Sequence, residues 1–247
     1  MRYAVVIPVY NERRLFPLMF ERLVSTPVVR APDGTELERL IIVVDDGSSD
    51  GTTELVRGLE GRPGVVAVVH ERNRGKGAAV RTGFEHALGA GVDLLLTQDA
   101  DLEYDPGEHA KVLGPILDER ADAVFGSRFL GDAHRVLYFW HSVANRFIST
   151  LSNMMTNLNL TDIECCFKAF SREVASKIRI EEDRFGLEPE IVAKVARLRL
   201  SGPEGARRAR VYEVGVSYAG RTYEEGKKIT WKDGVSALRC IVKYRFF

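Results

Sequence analysis

Along the first half of the chain, short apolar runs rich in β-branched residues alternate with segments of helical period. Residues 3–9, 40–44, 65–70, 93–97 and 123–126 read as strands. Residues 13–24, 52–59, 77–88 and 107–117 read as helices. Strands that alternate with helices predict an α/β fold: a mostly parallel sheet flanked by helices on both faces. Ligands of such sheets sit beyond the carboxyl ends of the strands, and the polar motifs of this chain fall there.

The pattern changes after Arg128. Val136, Phe139, Trp140, Val143, Ala144, Phe147, Ile148, Leu151, Met154, Met155 and Leu158 follow helical spacing. They predict one amphipathic helix over 135–158, roughly 36 Å long if unbroken. A helix over 189–198, a strand over 211–219 and a closing helix over 231–244 complete a helical C-terminal region. Residues 27–34 and 201–205 read as surface loops, and no repeat or low-complexity tract interrupts the 247 residues.

Composition adds three points. No run approaches the ~20 apolar residues of a membrane helix, and the N-terminus reads as a strand rather than a leader. Cys165, Cys166 and Cys240 are too few for a disulfide framework, which suits a cytoplasmic location. The net charge is zero, but residues 197–247 carry twelve Lys and Arg against five acids, a net of +7, leaving −7 for the rest. That basic segment suits an anionic partner such as a phosphate or a lipid surface; nucleic acid is not expected. A solvated surface with internal ion pairs is the plainer alternative.

Four strand-end motifs carry candidate chemistry. The first strand stops at Pro8-Val9-Tyr10-Asn11-Glu12, where an aromatic ring can stack on a base and a carboxylate can hold base or ribose donors. Asn11 can equally cap the next helix. The second strand ends in Asp45-Asp46-Gly47-Ser48-Ser49-Asp50-Gly51-Thr52. Asp45 is placed to accept from a base or ribose, whereas Asp50 and Thr52 read as capping residues. Asn73-Arg74-Gly75-Lys76-Gly77-Ala78-Ala79 is a basic, glycine-rich turn at a helix start, suited to anions. It lacks the spacing and hydroxyl of a nucleotide-triphosphatase loop. Finally, residues 94–97 deliver Asp99, Asp101 and Glu103 at alternating positions, on one side of the chain if it stays extended. Three clustered carboxylates call for a hard cation, Mg²⁺ or Mn²⁺. Such a cation can bridge a diphosphate and stabilise a departing nucleoside diphosphate.

In order along the chain, VVIPVYNE, VVDDGSSDGT, NRGKGAA, QDADLEY and GSR resemble the inverting glycosyltransferases of family 2, which have the GT-A (Rossmann-like) fold. Residues 161–170 and the stretch Phe185-Gly186-Leu187-Glu188-Pro189-Glu190 look like the polyprenyl-phosphate branch, which includes dolichyl-phosphate mannose and glucose synthases. The resemblance implies a single glycosyltransferase domain over 1–247, with a nucleotide-sugar half (1–130) and an acceptor-side half (131–247). It implies donor contacts at Pro8, Tyr10, Glu12, Asp45, Lys76 and Asp99, and a Mg²⁺ or Mn²⁺ site at Asp99, Asp101 and Glu103. Asp101, Asp162 and Arg128 become the catalytic candidates; Arg128, Arg221 and Lys228 become the grip on an acceptor phosphate. Two departures stand out: Glu103 occupies a position where the mannose synthases carry Gln, and the chain has no membrane-spanning tail.

The acceptor separates two mechanisms. A phosphate monoester attacks an anomeric carbon without a base, whereas a sugar hydroxyl needs a carboxylate within ~3 Å. Asp162, with Glu164 behind it, is the candidate base for a glycan or small-molecule hydroxyl. The basic C-terminal segment favours the phosphate: transfer of a hexose from GDP-mannose or UDP-glucose to a polyprenyl phosphate, with inversion. The long helix can then meet a lipid surface or a membrane subunit, with His134, Arg135 and Arg146 near headgroups. Packing on the sheet, or on a second copy in a homo-oligomer, is the commoner fate of such a helix. A nucleotidyltransferase would carry its glycine-rich turn after the first strand, and a mere sugar-binding module would have little reason to keep three metal carboxylates.

Overall fold

A computed structural model describes residues 1–131, 135–136, 138–222, 224–225 and 231–246. His134 and Lys228 lie outside the described residues. The chain builds β1 (Arg2–Val9), α1 (Phe16–Ser25), β2 (Glu38–Asp45), α2 (Thr52–Arg57), β3 (Val65–Val69), α3 (Lys76–Gly89), β4 (Leu94–Thr97), α4 (His109–Leu117) and β5 (Ala123–Ser127). It continues with α5 (Phe139–Thr156), β6 (Lys168–Ser171), α6 (Arg172–Lys177), α7 (Leu187–Arg197), β7 (Arg199–Leu200), β8 (Arg207–Arg208), β9 (Val211–Gly215) and α8 (Trp231–Lys243). The main sheet has the order β3-β2-β1-β4-β6-β5-β9. All its pairings are parallel except those of β6, which runs antiparallel to both β4 and β5. β6 and β9 lie beyond residue 130, so both halves of the chain share one sheet.

Alternation along β1 divides the core. Tyr3, Val5, Ile7 and Val9 pack on one face with Phe16, Met19, Phe20 and Leu23 of α1. Ala4 and Val6 pack on the other with Ala79, Val80, Phe84 and Ala87 of α3. Gly83 permits that second contact: a Cβ there would lie 2.2 Å from Val6 Cγ1.

Several predicted elements shift. α1 starts at Phe16 rather than residue 13, with Pro17 in its first turn, where a missing N–H costs nothing. The strand expected over 211–219 ends at Gly215. The long helix spans 18 residues rather than the expected 135–158, and closes at Asn157, whose φ of 57° is left-handed. β6 and α6 were not anticipated. Lys168 breaks the apolar run of β6, yet its side chain is buried. α6 is short and is capped by Ser171, which accepts from the Val174 N–H. Among the described residues no helix is long and apolar enough to cross a membrane.

Candidate active site

β1, β2, β4 and β5 run in the same direction, so their carboxyl ends meet at one edge of the sheet. The first two ends are laced together. Asn11, at φ 50°, donates its N–H to Ser48 Oγ at 2.8 Å and accepts from the Ser49 N–H at 2.8 Å. The Glu12 N–H reaches Thr52 Oγ1 at 3.0 Å, while Asp50 accepts from both the N–H and the hydroxyl of Thr52. Asn11, Asp50 and Thr52 thus stabilise turns. Asp45 is fully buried, and its carboxylate accepts from Ser48 Oγ and from Thr53 Oγ1. Pro8 and Tyr10 are half-buried at the rim, and Glu12 lies beside them.

The glycine-rich turn packs part of its backbone against the rest of the fold. Three of its N–H groups turn inward: those of Arg74 and Gly75 donate to Asp46, at 2.9 and 2.6 Å, and that of Ala78 donates to Asp183 O at 3.1 Å. A Cβ at Gly77 would fall 1.9 Å from Glu182 O, and one at Gly75 2.3 Å from Asp183 O. The glycines therefore admit the 182–183 backbone. The Lys76 side chain reaches the site: its ammonium lies 2.9 Å from Asp99 and 3.3 Å from Glu188. Burial opposes both charges, but the Lys76–Asp99 attraction outweighs it, holding the ammonium pKa high and the carboxyl pKa low.

The segment after β4 is likewise not the extended strand that alternation assumed. It bends, with Leu102 at φ 62°, and the Asp101 carboxylate accepts from the Glu103 N–H at 3.2 Å. Short polar side chains favour such local turns over a continued strand. Arg221 fills the resulting hollow. Its guanidinium contacts Glu12 at 3.1 Å, Asp101 at 2.7 Å and Glu103 at 3.2 Å. Tyr218 donates its hydroxyl to Glu103 at 2.9 Å. In this structure Arg221, also the candidate for an acceptor phosphate, is the counter-ion of the carboxylates. Burial, then the charges of Asp99 and Glu103, push the Asp101 carboxyl up to about 7. Among the described residues no three His, Cys, Asp or Glu side chains converge as a metal cage. In donor chemistry and charge the set still fits a hard cation, because its oxygens already surround one positive group and remain under-compensated.

Arg128 and Asp162 form a closed pair. Arg128 Nε and Nη2 donate to the two oxygens of Asp162 at 2.6 and 2.8 Å, and its backbone N–H adds a third bond at 3.1 Å. Asn145 of α5 donates to Asp162 at 3.1 Å and accepts from Arg128 at 3.2 Å. Asp162 is fully buried. Burial would raise its pKa, but the Arg128 charge and hydrogen bonds overcome this and hold it below the ordinary range. The Arg128 guanidinium also stacks on Tyr218, 5.1 Å from the ring centre.

Other contributors escaped the sequence. Lys168 pairs with Glu188, and Glu188 in turn reaches Lys76, so a buried chain of charges runs from β6 and α7 to the donor side. Glu164 sits behind it; burial, then Glu188, push its carboxyl up to about 7. A lysine at a core position of an apolar run is the one signal that pointed to this network. Asp46, Asn145 and Tyr218 gave none, since their partners are 17 or more residues away.

This edge of carboxylates, arginines and a donor-side lysine belongs to a known class. Residues 4–179 match the model of glycosyl transferase family 2, and the chain is a member of that family and a glycosyltransferase. It is 30% identical over 236 residues to the undecaprenyl-phosphate 4-deoxy-4-formamido-L-arabinose transferase of Edwardsiella ictaluri, covering 91% of this chain and 62% of that protein. It is 35% identical over 181 residues to the polyprenol monophosphomannose synthase of Mycolicibacterium smegmatis, covering 72% of this chain and 64% of that one. The chain thus spans somewhat under two thirds of these relatives. In fold it resembles glucosyl-3-phosphoglycerate synthase from Mycobacterium tuberculosis, solved with Mn²⁺, uridine diphosphate and phosphoglyceric acid. There the TM-score is 0.70 at 18% identity, over 99% of this chain and 78% of that one. Mannosyl-3-phosphoglycerate synthase from Rubrobacter xylanophilus gives a TM-score of 0.68 at 17% identity, over 98% and 73%. The expected GT-A fold is the one observed.

Proposed function

We propose that this glycosyltransferase moves a hexose from a nucleotide-sugar, of the GDP-mannose or UDP-glucose type, to a polyprenyl phosphate, in one displacement with inversion. The observation that carries this reading is the closed Arg128–Asp162 pair. A general base needs a carboxylate with a free lone pair and some affinity for a proton. Asp162 is fully buried, spends its oxygens on Arg128 and Asn145, and has its pKa held low. That suits a nucleophile that brings its own negative oxygens. The names of the undecaprenyl-phosphate and polyprenol relatives agree.

In this reading the nucleoside lies against Pro8, Tyr10 and Glu12, with Asp45 fixing the turn beneath. Lys76 and Asp99 meet the donor phosphates. Asp99, Asp101 and Glu103 would hold Mg²⁺ or Mn²⁺, which would supply charge compensation to the departing nucleoside diphosphate. Arg128 orients the acceptor phosphate, joined by Arg221 and Lys228 from the basic segment. Residues 1–130 then serve the donor and 131–247 the acceptor, at the cytoplasmic face of a membrane. The second reading, a hydroxyl acceptor with Asp162 as base, requires the pair to open.

The test is transfer from each donor, with Mn²⁺ or Mg²⁺, to undecaprenyl phosphate and to undecaprenol, read by mass spectrometry. Only the phosphate is expected to gain a hexose. Glycosylated undecaprenol, or no transfer to either lipid, would overturn the reading.

A further inference from the structure

α5 carries two apolar faces. Ile148, Leu151 and Met155 pack on the core, and Ser149 and Ser152 are buried beside them. Phe139, Trp140, Val143, Phe147 and Met154 fall within about 100° of arc on the other side. That second stripe is exposed: Phe139 by 69%, Trp140 by 74%, Phe147 by 60% and Met154 by 74%. Val136 and Tyr138, just before the helix, are exposed as well, as are Phe129 and Leu130 directly after Arg128. Large aromatic side chains do not gather on a water-facing helix without a reason.

Charge indicates what covers them. Acids make up 35 of the 247 residues, yet none occurs from Ala133 to Thr161; Arg146 lies on the helix itself, while Arg135 before it is paired with Glu225 at 2.7 Å. A surface helix in water ordinarily mixes both signs; an aromatic stripe on a helix that carries an arginine and no carboxylate of its own suits the interface of a bilayer with anionic headgroups. The helix is also tied to the acceptor cluster. Asn145, on the packed side of α5, bonds both Arg128 and Asp162.

We propose that the exposed face of α5 is the surface by which this protein docks on an anionic lipid bilayer. This rests on the polyprenyl-phosphate reading above and names how the acceptor is met. Docking would hold the Arg128 cluster near headgroup level, where a lipid-borne phosphate resides, and leave the isoprenoid chain in the bilayer.

The test uses the whole chain and sedimentation with vesicles of equal parts phosphatidylglycerol and phosphatidylcholine. The wild type is expected to co-sediment, and more weakly with pure phosphatidylcholine. The variant Phe139→Ser/Trp140→Ser/Phe147→Ser should bind vesicles at least about tenfold more weakly, since three large apolar side chains lose their burial. Because all three are exposed, its circular dichroism should match the wild type. Its transfer to a short, water-soluble prenyl phosphate should also be retained. Equal vesicle binding by variant and wild type would overturn the proposal. A wild type that ignores vesicles but forms a dimer that the variant dissolves would overturn it in favour of a second copy. Vesicle binding by the wild type without transfer to any prenyl phosphate would sink the proposed function and leave the docking surface standing.

Discussion

Asp162 and Asp101 are both buried carboxylates beside an arginine, at neighbouring ends of the same sheet. Around Asp162 the charges close: one arginine, gripped through two nitrogens and the backbone, plus one asparagine. Around Asp101 they do not: one guanidinium is shared among Glu12, Asp101 and Glu103, while Lys76 is engaged by Asp99 and Glu188. The pKa of Asp162 is held low, and that of Asp101 rises to about 7. A balanced pair is built to stay as it is and to orient what lies next to it. An under-compensated cluster is built to accept another cation. On the function proposed above, the first site would serve for positioning and the second for metal and leaving-group chemistry.

The largest effect should come from the open site. Asp101→Ala, or excess EDTA on the wild type, is expected to lower transfer by at least about a thousandfold, as metal stabilisation of a leaving group is worth several kcal/mol. Thermal unfolding should change little, because the substitution relieves repulsion. Full activity in either case would remove the metal assignment.

Next comes the closed site. Arg128→Ala leaves a buried carboxylate without its cation and should cost about 3 kcal/mol in urea unfolding. The acceptor KM should rise, or kcat fall, by about a hundredfold, while donor binding, measured by calorimetry, changes little. A donor affinity that falls as far as acceptor turnover would erase the distinction between the two sites.

Arg221→Met sharpens it further. Without the guanidinium, Mn²⁺ should bind about tenfold more tightly in the absence of nucleotide, followed by electron paramagnetic resonance, because a competing unit charge at contact distance is gone. Unchanged or weaker Mn²⁺ binding would mean that Arg221 is not a stand-in for the metal.

A last effect, on stability rather than turnover, concerns Glu164, two residues beyond Asp162, whose carboxyl is pushed up to about 7. Its folded state binds the proton more tightly than the unfolded chain, where the pKa is ~4.3. The stability it contributes is therefore present at low pH and lost as pH rises towards 7, by up to about 1.4 kcal/mol per pH unit. Glu164→Gln should flatten that slope in urea titrations between pH ~5 and ~7. An identical slope would mean that Glu164 is ionised throughout.

The sequence carried the strands and helices of residues 1–127 because each is a local pattern: apolar alternation, a polar stop, then helical period. It also pointed to the acids and arginines of the edge, since strand ends in such folds carry ligands. It did not carry β6, where a lysine sits in a strand whose neutralising carboxylate, Glu188, comes 20 residues later. Nor did it disclose that Arg221 would meet Glu12, 209 positions away. The glycines of residues 75–77 did not disclose what they admit, because glycine marks any close backbone approach and the backbone of Glu182–Asp183 is what comes close here. The apolar period of α5 was legible, but period alone does not divide a stripe into the part that packs and the part left outside.

The measurement that bears most directly on the account is the turnover of Asp162→Asn on undecaprenyl phosphate, set beside that of Arg128→Ala. If Asp162 only orients Arg128, the asparagine still accepts a hydrogen bond, and the rate should fall by less than about tenfold. Arg128→Ala should fall much further. An inactive Asp162→Asn beside a nearly normal Arg128→Ala would make Asp162 the base, the acceptor a hydroxyl, and the lipid-phosphate account wrong.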